Sequence, residues 1–183
     1  MDFLTQRLGL REFRESDGEA LFAIYGDAEN RRYESLPLTR VESDQKLRLA
    51  LADQRANPRS HYRWAITLPP SDEMRGFVAL TMLRAEVREF EIGWAVRTAD
   101  WGNGYASEAA CAVLGHAFNH LHAHRIIAFC HADNQRSMSV MAKLGMQPEA
   151  LLRESIQING EWCDERVYAI LEREFFAQSK SLA

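Results

Sequence analysis

The sequence lacks several features that mark whole classes of proteins. Its three cysteines, Cys111, Cys130 and Cys163, form no Cys-x-x-Cys pair, which argues against a disulfide framework or a cysteine-based zinc site and is typical of a reducing compartment. The longest apolar stretch, FVALTML from Phe77, is far shorter than the roughly 18 residues of a membrane-spanning helix. The first residues, MDFLTQRLGLREF, show no basic segment followed by an apolar one, so we expect no signal peptide and a cytoplasmic protein.

An excess of positive charge is also missing. The formal net charge is −4, and the lysines and arginines are scattered along the chain, so no electrostatic footprint for nucleic acid is present. Hydrophobic residues make up 46% and charged residues 26%, as in ordinary globular proteins. The 183 residues therefore predict one domain over residues 1–183 with a sizeable core.

Apolar periodicity predicts the elements of the first half. Leu8 and Leu10 alternate with polar residues as in a half-buried strand, and Ser16 and Glu19 stand at capping-box spacing before an apolar run, where we expect a helix to begin. A second helix is expected from Ser43 to Ala56. Three strands should follow, with the sequences YRWAITL, GFVALTML and FEIGWAV.

The second half continues the alternation. YASEAACAVLGHAFNHL and NQRSMSVMAKLGM are apolar at helical spacing, and RIIAFCH between them reads as a buried strand. ALLRESIQI and ERVYAIL flank Asn159-Gly160 and predict a hairpin with the loop NGEWCD. The chain is therefore expected to be a mixed α/β domain that ends in a hairpin.

The loop DWGNGY joins the strand FEIGWAV to a helix. Backbone N–H groups and the positive end of the helix dipole favour anions at such a junction, so Gly102 and Gly104 predict a phosphate site. A P-loop would require Lys-Ser or Lys-Thr after its last glycine, and Tyr105 and Ala106 follow instead. A dinucleotide-binding loop would require a third glycine where Ser107 stands.

Several motifs in order resemble the GCN5-related N-acetyltransferase (GNAT) superfamily. DWGNGYASEAA is similar to the coenzyme A loop of its ribosomal-protein alanine and serine N-acetyltransferases (RimJ/RimL-like), with Ala99 or Asp100 where Arg or Gln is common. TQRLGLREF resembles the opening of that branch, FEIGWAV its fourth strand, and NQRSMSVMAKLGM its Asn-x-x-Ser segment. The resemblance covers nearly the whole chain and implies a bacterial-type acetyltransferase.

The resemblance implies a mostly antiparallel sheet, splayed between its fourth and fifth strands, with helices on its faces. Acetyl-CoA would lie in the gap, and Gly93 would mark the bulge that opens it, although a strand glycine can also simply relieve packing. The residues expected to bind the coenzyme are Ile92, Trp94, Ala95, Val96, Trp101, Gly102, Asn103, Gly104, Tyr105, Ala106, Ser107, Asn134 and Lys143. A backbone N–H around Trp94 to Val96 would meet the thioester oxyanion.

Two residues are proposed for the proton transfers. Glu91 is the first choice for general base, with Glu154 and Asp164 as alternatives. Many family members carry a tyrosine that acts as the general acid where Met141 stands here. In the resembling branch a serine replaces it, and Ser137 occupies that place; its hydroxyl could also cap a helix.

The remaining expectations concern ligands and partners. His116, His120 and His124 recur every four residues, but without an acidic partner we expect no metal. Cys130 is expected to be a small core residue, with proximity to the coenzyme thiol as the alternative.

The acceptor is expected to be an amine. It would belong either to a protein N-terminus, such as that of a ribosomal protein, or to a small molecule, and Arg31, Arg32 and Tyr33 would lie at its rim. The resemblance is compatible with a homodimer. A non-catalytic acyl-CoA-binding module is the alternative function, and a nucleotide-dependent oxidoreductase rests only on the partial glycine motif.

Overall fold

A computed structural model describes residues 2–180 of the chain. Its strands are β1 (Phe3–Leu4), β2 (Gly9–Glu12), β3 (His61–Thr67), β4 (Gly76–Arg84), β5 (Glu89–Val96), β6 (Arg125–His131), β7 (Gln147–Ile158) and β8 (Glu161–Leu171). Its helices are α1 (Gly18–Tyr25), α2 (Ala28–Arg31), α3 (Arg40–Asp53), α4 (Tyr105–His120), α5 (Gln135–Lys143) and α6 (Glu172–Lys180).

The described strands form one sheet in the order β1-β2-β3-β4-β5-β6-β8-β7. Neighbouring strands are antiparallel except for β5 and β6, which are parallel. This confirms the predicted mixed, mostly antiparallel sheet with a terminal hairpin. The predicted fourth and fifth strands are β5 and β6 here, because the short strand β1 precedes the first predicted one.

Apolar side chains pack on both faces of the sheet. On one face, Val113, Leu114 and Phe118 of α4 pack against buried residues such as Phe90 and Ile126. On the other, α1 and α3 cover a smaller cluster through Leu21, Ile24 and Leu47, among others. Within residues 2–180 no helix is long and apolar enough to cross a membrane.

Two predicted helix starts were wrong in detail. Helix α3 begins at Arg40 rather than Ser43, because the Thr39 side chain accepts from the Glu42 N–H at 3.3 Å while the Glu42 carboxylate accepts from the Thr39 N–H at 2.7 Å. This reciprocal capping box is the stronger start signal. Helix α1 follows a 3-10 turn at Glu15–Asp17, and the expected Ser16 and Glu19 box is not formed. Instead the Asp17 carboxylate accepts from the Arg14 N–H at 2.8 Å.

The hairpin and three short elements also differ from expectation. Strands β7 and β8 are joined by Asn159 and Gly160 alone, both at positive φ, so the loop is the minimal two-residue turn. Strand β1 and helices α2 and α6 were not predicted. Helix α2 is capped by Asp27, whose carboxylate accepts from the N–H groups of Glu29 and Asn30.

Candidate active site

The sheet opens between β5 and β6. Their pairing is limited to Glu89 with Arg125, Phe90 with Ile126 and Glu91 with Ile127. Beyond Glu91, β5 continues along β4 and β6 continues along β8. Each strand therefore keeps its outer neighbour while the two separate, which leaves main-chain polar groups of both strands facing a gap.

Gly93 lies on β5 where the gap has opened. The expected bulge at this glycine was wrong with respect to β4, because Gly93 pairs with Ala79 in an unbroken register and the shift lies at Met82 and Arg84. A Cβ at Gly93 would meet no atom within 4 Å. The glycine therefore does not relieve packing, and it leaves the space beside β5 open.

The gap widens into a cavity of about 500 Å³, within the size range of small-molecule sites. It is bounded by β5, β6, the loop after α2, the start of α5 and the hairpin of β7 and β8. Its lining residues are Tyr33, Glu34, Glu91, Ile92, Gly93, Trp94, Phe129, Cys130, His131, Asn134, Ser137, Ile156, Gln157 and Glu165.

The glycine loop follows β5 directly. Gly102 and Gly104 have φ of +81° and +79°, a region that residues with a Cβ enter at a cost. The Trp101 indole N–H donates to the Val96 carbonyl at 2.7 Å, and the Asn103 amide donates to the Asp100 carbonyl at 3.0 Å. These bonds hold the loop against the end of the open strand.

Helix α4 presents its N-terminus at the loop. Its first main-chain bond runs from the Glu108 N–H to the Gly104 carbonyl at 3.0 Å, so helix geometry leaves the N–H groups of Tyr105, Ala106 and Ser107 available. Gly104 precedes the helix without a capping side chain. The end of α4 therefore fits an anionic group.

An arginine from the N-terminal segment stands beside this helix end. The Arg7 guanidinium lies over the Tyr105 ring at 5.3 Å, and its Nη2 is 3.5 Å from where a Cβ of Gly104 would be. Glu108 holds this segment by accepting from the Arg7 Nε at 2.7 Å and from the Thr5 hydroxyl at 2.5 Å. Two motifs about 100 residues apart in the sequence are thus joined by hydrogen bonds.

Helix α5 brings Asn134 and Ser137 to the cavity. The Asn134 side chain caps the helix by accepting from the Ser137 N–H at 3.1 Å. Among the described residues no hydrogen bond involves the Ser137 hydroxyl, so the capping role expected as its alternative belongs to Asn134. Met141 is buried at 1% exposure, in the apolar core under the helix.

Glu91 is the carboxylate at the mouth of the gap. Burial, and then the negative charge of Glu165, raise the pKa of its carboxyl group above the ordinary value, which makes it a stronger base. The two alternative bases do not line the cavity. Asp164 accepts from the Glu154 N–H at 2.8 Å within the hairpin, where Glu154 is exposed.

Known proteins share this arrangement. A family model described as acetyltransferase (GNAT) domain matches residues 7–147. An uncharacterized N-acetyltransferase, YnaD of Bacillus subtilis (strain 168), is 33% identical over 96% of this chain and 99% of its own. The chain belongs to the GNAT acetyltransferase family.

Solved structures agree with this assignment. A GNAT-family acetyltransferase from Bacillus anthracis superposes with a TM-score of 0.83 at 30% identity, over 95% of this chain and 100% of the other. A ribosomal L7/L12 α-N-protein acetyltransferase in complex with coenzyme A shares the fold, with a TM-score of 0.80 at 21% identity over 92% and 96% of the two chains. The protein is thus an N-acetyltransferase by family, and the predicted family and fold class are confirmed.

Of the residues predicted to bind the coenzyme, Ile92, Trp94 and Asn134 line the cavity, whereas the loop residues Trp101 to Ser107 do not. Ala95 packs against the core under α1 and α3, and Val96 belongs to the core under α4, so only their main-chain groups are close to the gap. Lys143 is exposed at the far end of α5 from Asn134. Its contact with coenzyme stays a prediction.

Six lining residues were not singled out from the sequence: Glu34, Phe129, His131, Ile156, Gln157 and Glu165. They come from the loop after α2, from β6 and from the hairpin, and no shared sequence motif marks them. The His131 ring is tilted against the Tyr33 ring with 5.0 Å between their centres, and its Nδ1 accepts from the Asp133 N–H at 3.1 Å. The neutral ring therefore carries its proton on Nε2.

Arg136 is a further residue that the sequence did not reveal. Its guanidinium lies 4.0 Å from the centre of the Trp101 ring and 3.1 Å from the Glu29 carboxylate. It therefore links α5 to the glycine loop and to α2 across the open side of the sheet.

The remaining cysteine and histidine candidates are placed as follows. Cys130 both belongs to the core and lines the cavity, and burial raises the pKa of its thiol to about 11, so the thiol is protonated at neutral pH. His116 is stacked on Phe3 and lies edge-to-face with Trp64, and burial lowers its pKa. In the described part of the chain no three His, Cys, Asp or Glu residues are grouped to hold a metal ion.

Proposed function

We propose that this GNAT protein transfers an acetyl group from acetyl-CoA to a primary amine by direct attack in a ternary complex. The observation that carries the proposal is the parting of β5 and β6 beyond Glu91, which opens into a cavity lined by Trp94, Asn134 and Ser137. The glycine loop follows β5 in the chain and contacts the start of α5 through Trp101 and Arg136, so an anion site, a strand edge and a carboxylate belong to connected elements.

The coenzyme would be held mainly by backbone. Gly102, Gly104 and the start of α4 suit its diphosphate, because their N–H groups and the helix dipole favour anions. The exposed edge of β5 beyond Glu91 can pair with an amide-bearing chain such as pantetheine, in the manner of an added strand. Asn134 and Ser137 face the same cavity and would flank the thioester.

Each residue role follows from the bonds that change. A bond forms between the amine nitrogen and the acetyl carbonyl carbon, and the bond from that carbon to sulfur breaks. Glu91, directly or through water, would accept the proton that the amine loses, and a main-chain N–H of β5 would stabilise the oxyanion. The Ser137 hydroxyl would donate a proton to the departing thiolate, which is a fair leaving group with a thiol pKa of about 8.5.

The acceptor would be an amine of a protein N-terminus or of a small molecule. The loop after α2 and the hairpin would form the walls around the acceptor, since Tyr33, Ile156 and Gln157 line the cavity. The expected rim is thus represented by Tyr33, whereas Arg31 pairs with Glu34 and Arg32 lies over Tyr33.

The proposal is tested by two measurements on the intact protein. Isothermal titration with acetyl-CoA should show binding at micromolar concentration, and a thiol-release assay with a panel of amines and N-terminal peptides should show turnover. Absence of binding would overturn the assigned coenzyme site. Binding of acetyl-CoA without thiol release for any acceptor would instead favour the non-catalytic acyl-CoA-binding module. That alternative stays possible because Met141 stands where many family members have a tyrosine.

A further inference from the structure

Glutamates from three separate elements line the cavity. Glu34 comes from the loop after α2, Glu91 from β5 and Glu165 from β8. Within the described chain no lysine or arginine lines this cavity. Apart from His131, the acidic and basic side chains that line the cavity are therefore all carboxylates.

Nearby cations offset only part of this charge. Glu34 is paired with Arg31. Glu165 accepts a hydrogen bond from the neutral Ser155 hydroxyl at 3.0 Å, and in residues 2–180 neither Glu165 nor Glu91 has a basic partner. Arg166 follows Glu165 on the opposite face of β8, where its Nε donates to the Ala132 carbonyl at 3.3 Å.

Aromatic rings line the same cavity as the carboxylates. Tyr33 and His131 are in contact at 5.0 Å, and Trp94 and Phe129 line the same cavity. Aromatic faces combined with carboxylates attract ammonium groups and disfavour carboxylates, because ring quadrupoles present negative faces. The aromatic rings and the carboxylates thus favour the same kind of ligand, one that carries ammonium groups.

In an inference that rests on the proposed function, we propose that the acceptor carries a second positive charge close to the amine that is acetylated. It carries no carboxylate close to that amine. The reacting nitrogen lies at Glu91, and the second cation lies towards Glu165 and Glu34. A diamine, or a peptide whose second residue is basic, has this chemistry.

The second charge also assists the reaction. Glu91 and Glu165 repel each other when both are ionised, so a cation beside Glu165 favours the ionised form of Glu91. The same cation lowers the proton affinity of the reacting amine. Both effects favour the neutral amine and the charged base that transfer requires.

The test uses three acceptors with four carbon atoms each: 1,4-diaminobutane, butylamine and 4-aminobutanoate. For each acceptor, kcat/KM is calculated from the concentration of unprotonated amine, and the value for the diamine is halved because it has two nitrogens. We expect kcat/KM to fall in the order given by about tenfold per step. A tenfold change corresponds to about 1.4 kcal/mol of charge interaction. A peptide series, Ser-Lys, Ser-Gln and Ser-Glu at the N-terminus, repeats the comparison on a larger scaffold. The advantage of the cation should shrink as salt rises.

A substitution pair assigns the effect to the cavity. Glu165→Gln should remove most of the preference for the cationic member of each series, with a smaller change for the neutral one. Glu161→Gln removes the same charge from the exposed start of β8 and should keep the preference. Thermal unfolding of both variants checks that the fold is intact.

The outcomes separate this inference from the proposed function. Equal kcat/KM for cationic, neutral and anionic acceptors, or a preference unchanged by Glu165→Gln, would overturn the inference and leave the acetyltransferase intact. If no acceptor is acetylated, titration of the coenzyme A complex with the three amines measures the preference without turnover. If the diamine then binds most tightly, the charge selection is supported although the proposed reaction fails. If the three amines bind with equal affinity, both the charge selection and the proposed reaction are overturned.

Discussion

At the scale of single residues, the site depends on backbone conformation as much as on side chains. Gly102 and Gly104 adopt left-handed conformations that allow the chain to turn from β5 into α4 with its N–H groups exposed. A Cβ at Gly102 would meet no atom within 4 Å. The protein itself therefore leaves room on this side of the loop, where a ligand can approach.

Replacing Gly104 with valine should abolish acetyl-CoA binding. The β-branched side chain is strained at a φ of +79° and enters the space proposed for the diphosphate. We expect the affinity measured by isothermal titration to fall at least about tenfold. Gly160→Val, at a φ of +88° in the hairpin turn, imposes similar strain away from the loop and should keep the affinity. Unchanged binding in Gly104→Val would refute the assigned loop.

Replacing Glu91 with glutamine should lower activity and raise stability. Loss of a general base should reduce kcat by about 10²-fold or more and remove the acidic limb of the pH profile. Because the folded-state pKa of Glu91 is raised, its ionisation disfavours folding as the pH rises through that range. The variant should therefore melt at a higher temperature at pH 7, and this difference should vanish below about pH 4.

The exposed Glu154 provides the control for that substitution. Glu154→Gln should change neither kcat nor the pH profile. A Glu91→Gln enzyme with full activity would remove Glu91 from the mechanism, and Glu165, which lines the same cavity, would be the next carboxylate to test as the base.

At the scale of elements, each helix start near the site has a separate task. The N-terminus of α4 is left uncapped by side chains and is available to an anion, whereas the N-terminus of α5 is capped internally by Asn134. Capping of α5 holds Ser137 with its hydroxyl free beside the cavity. In the proposed mechanism, the start of α4 would bind the coenzyme and the start of α5 would supply the proton.

Replacing Ser137 with alanine should lower turnover without weakening coenzyme binding. The cap uses the Ser137 N–H, which alanine retains, so the helix should remain intact. We expect kcat in the thiol-release assay to fall about tenfold or more, with the acetyl-CoA affinity and the melting temperature nearly unchanged. Ser139→Ala, on the exposed face of α5, is the matched control. Equal losses of turnover and affinity would indicate a binding role instead.

At the scale of the whole molecule, the function depends on where the sheet stops being continuous. Glu89, only 4% exposed, lies at the closed end of the gap. Its carboxylate accepts from the Arg84 Nε at 2.9 Å and from the Arg125 Nε at 2.9 Å. It therefore ties β4, β5 and β6 together just before the two halves of the sheet part.

Replacing Glu89 with glutamine should destabilise the fold by about 1.5–3 kcal/mol, because Arg84 and Arg125 lose the charged acceptor of their hydrogen bonds. Hydrogen bonds from Arg84 and Arg125 lower the pKa of Glu89 in the folded protein. Its contribution to stability is therefore present above the ordinary glutamate pKa, and it is lost as the pH falls through the lowered pKa of the folded protein. Urea unfolding at pH 7 and at low pH measures both effects. Glu86→Gln, in the exposed turn before β5, is the control, and an equal midpoint for both variants would contradict the role of Glu89.

The order of elements, the glycine loop and the pairing of Asn134 with Ser137 in one helix were readable from the sequence, because they depend on local periodicity and on contiguous motifs. Helix boundaries were less certain where two start signals lay close together. The capping box of Thr39 and Glu42 begins α3 at Arg40 rather than at the predicted Ser43. The elements that were missed, β1, α2 and α6, are short or depend on packing against distant parts of the chain, which local propensity does not encode.

The chain by itself determined the family motifs, the conformations that only glycine readily adopts and the candidate base. Only the tertiary structure decided which charges meet. Glu34, Glu91 and Glu165 are far apart in the sequence, and they come together because β5 and β6 separate while the hairpin and the loop after α2 enclose the gap. Periodicity reports which face of an element is buried, but the sign of the field in a cavity depends on side chains that several elements contribute.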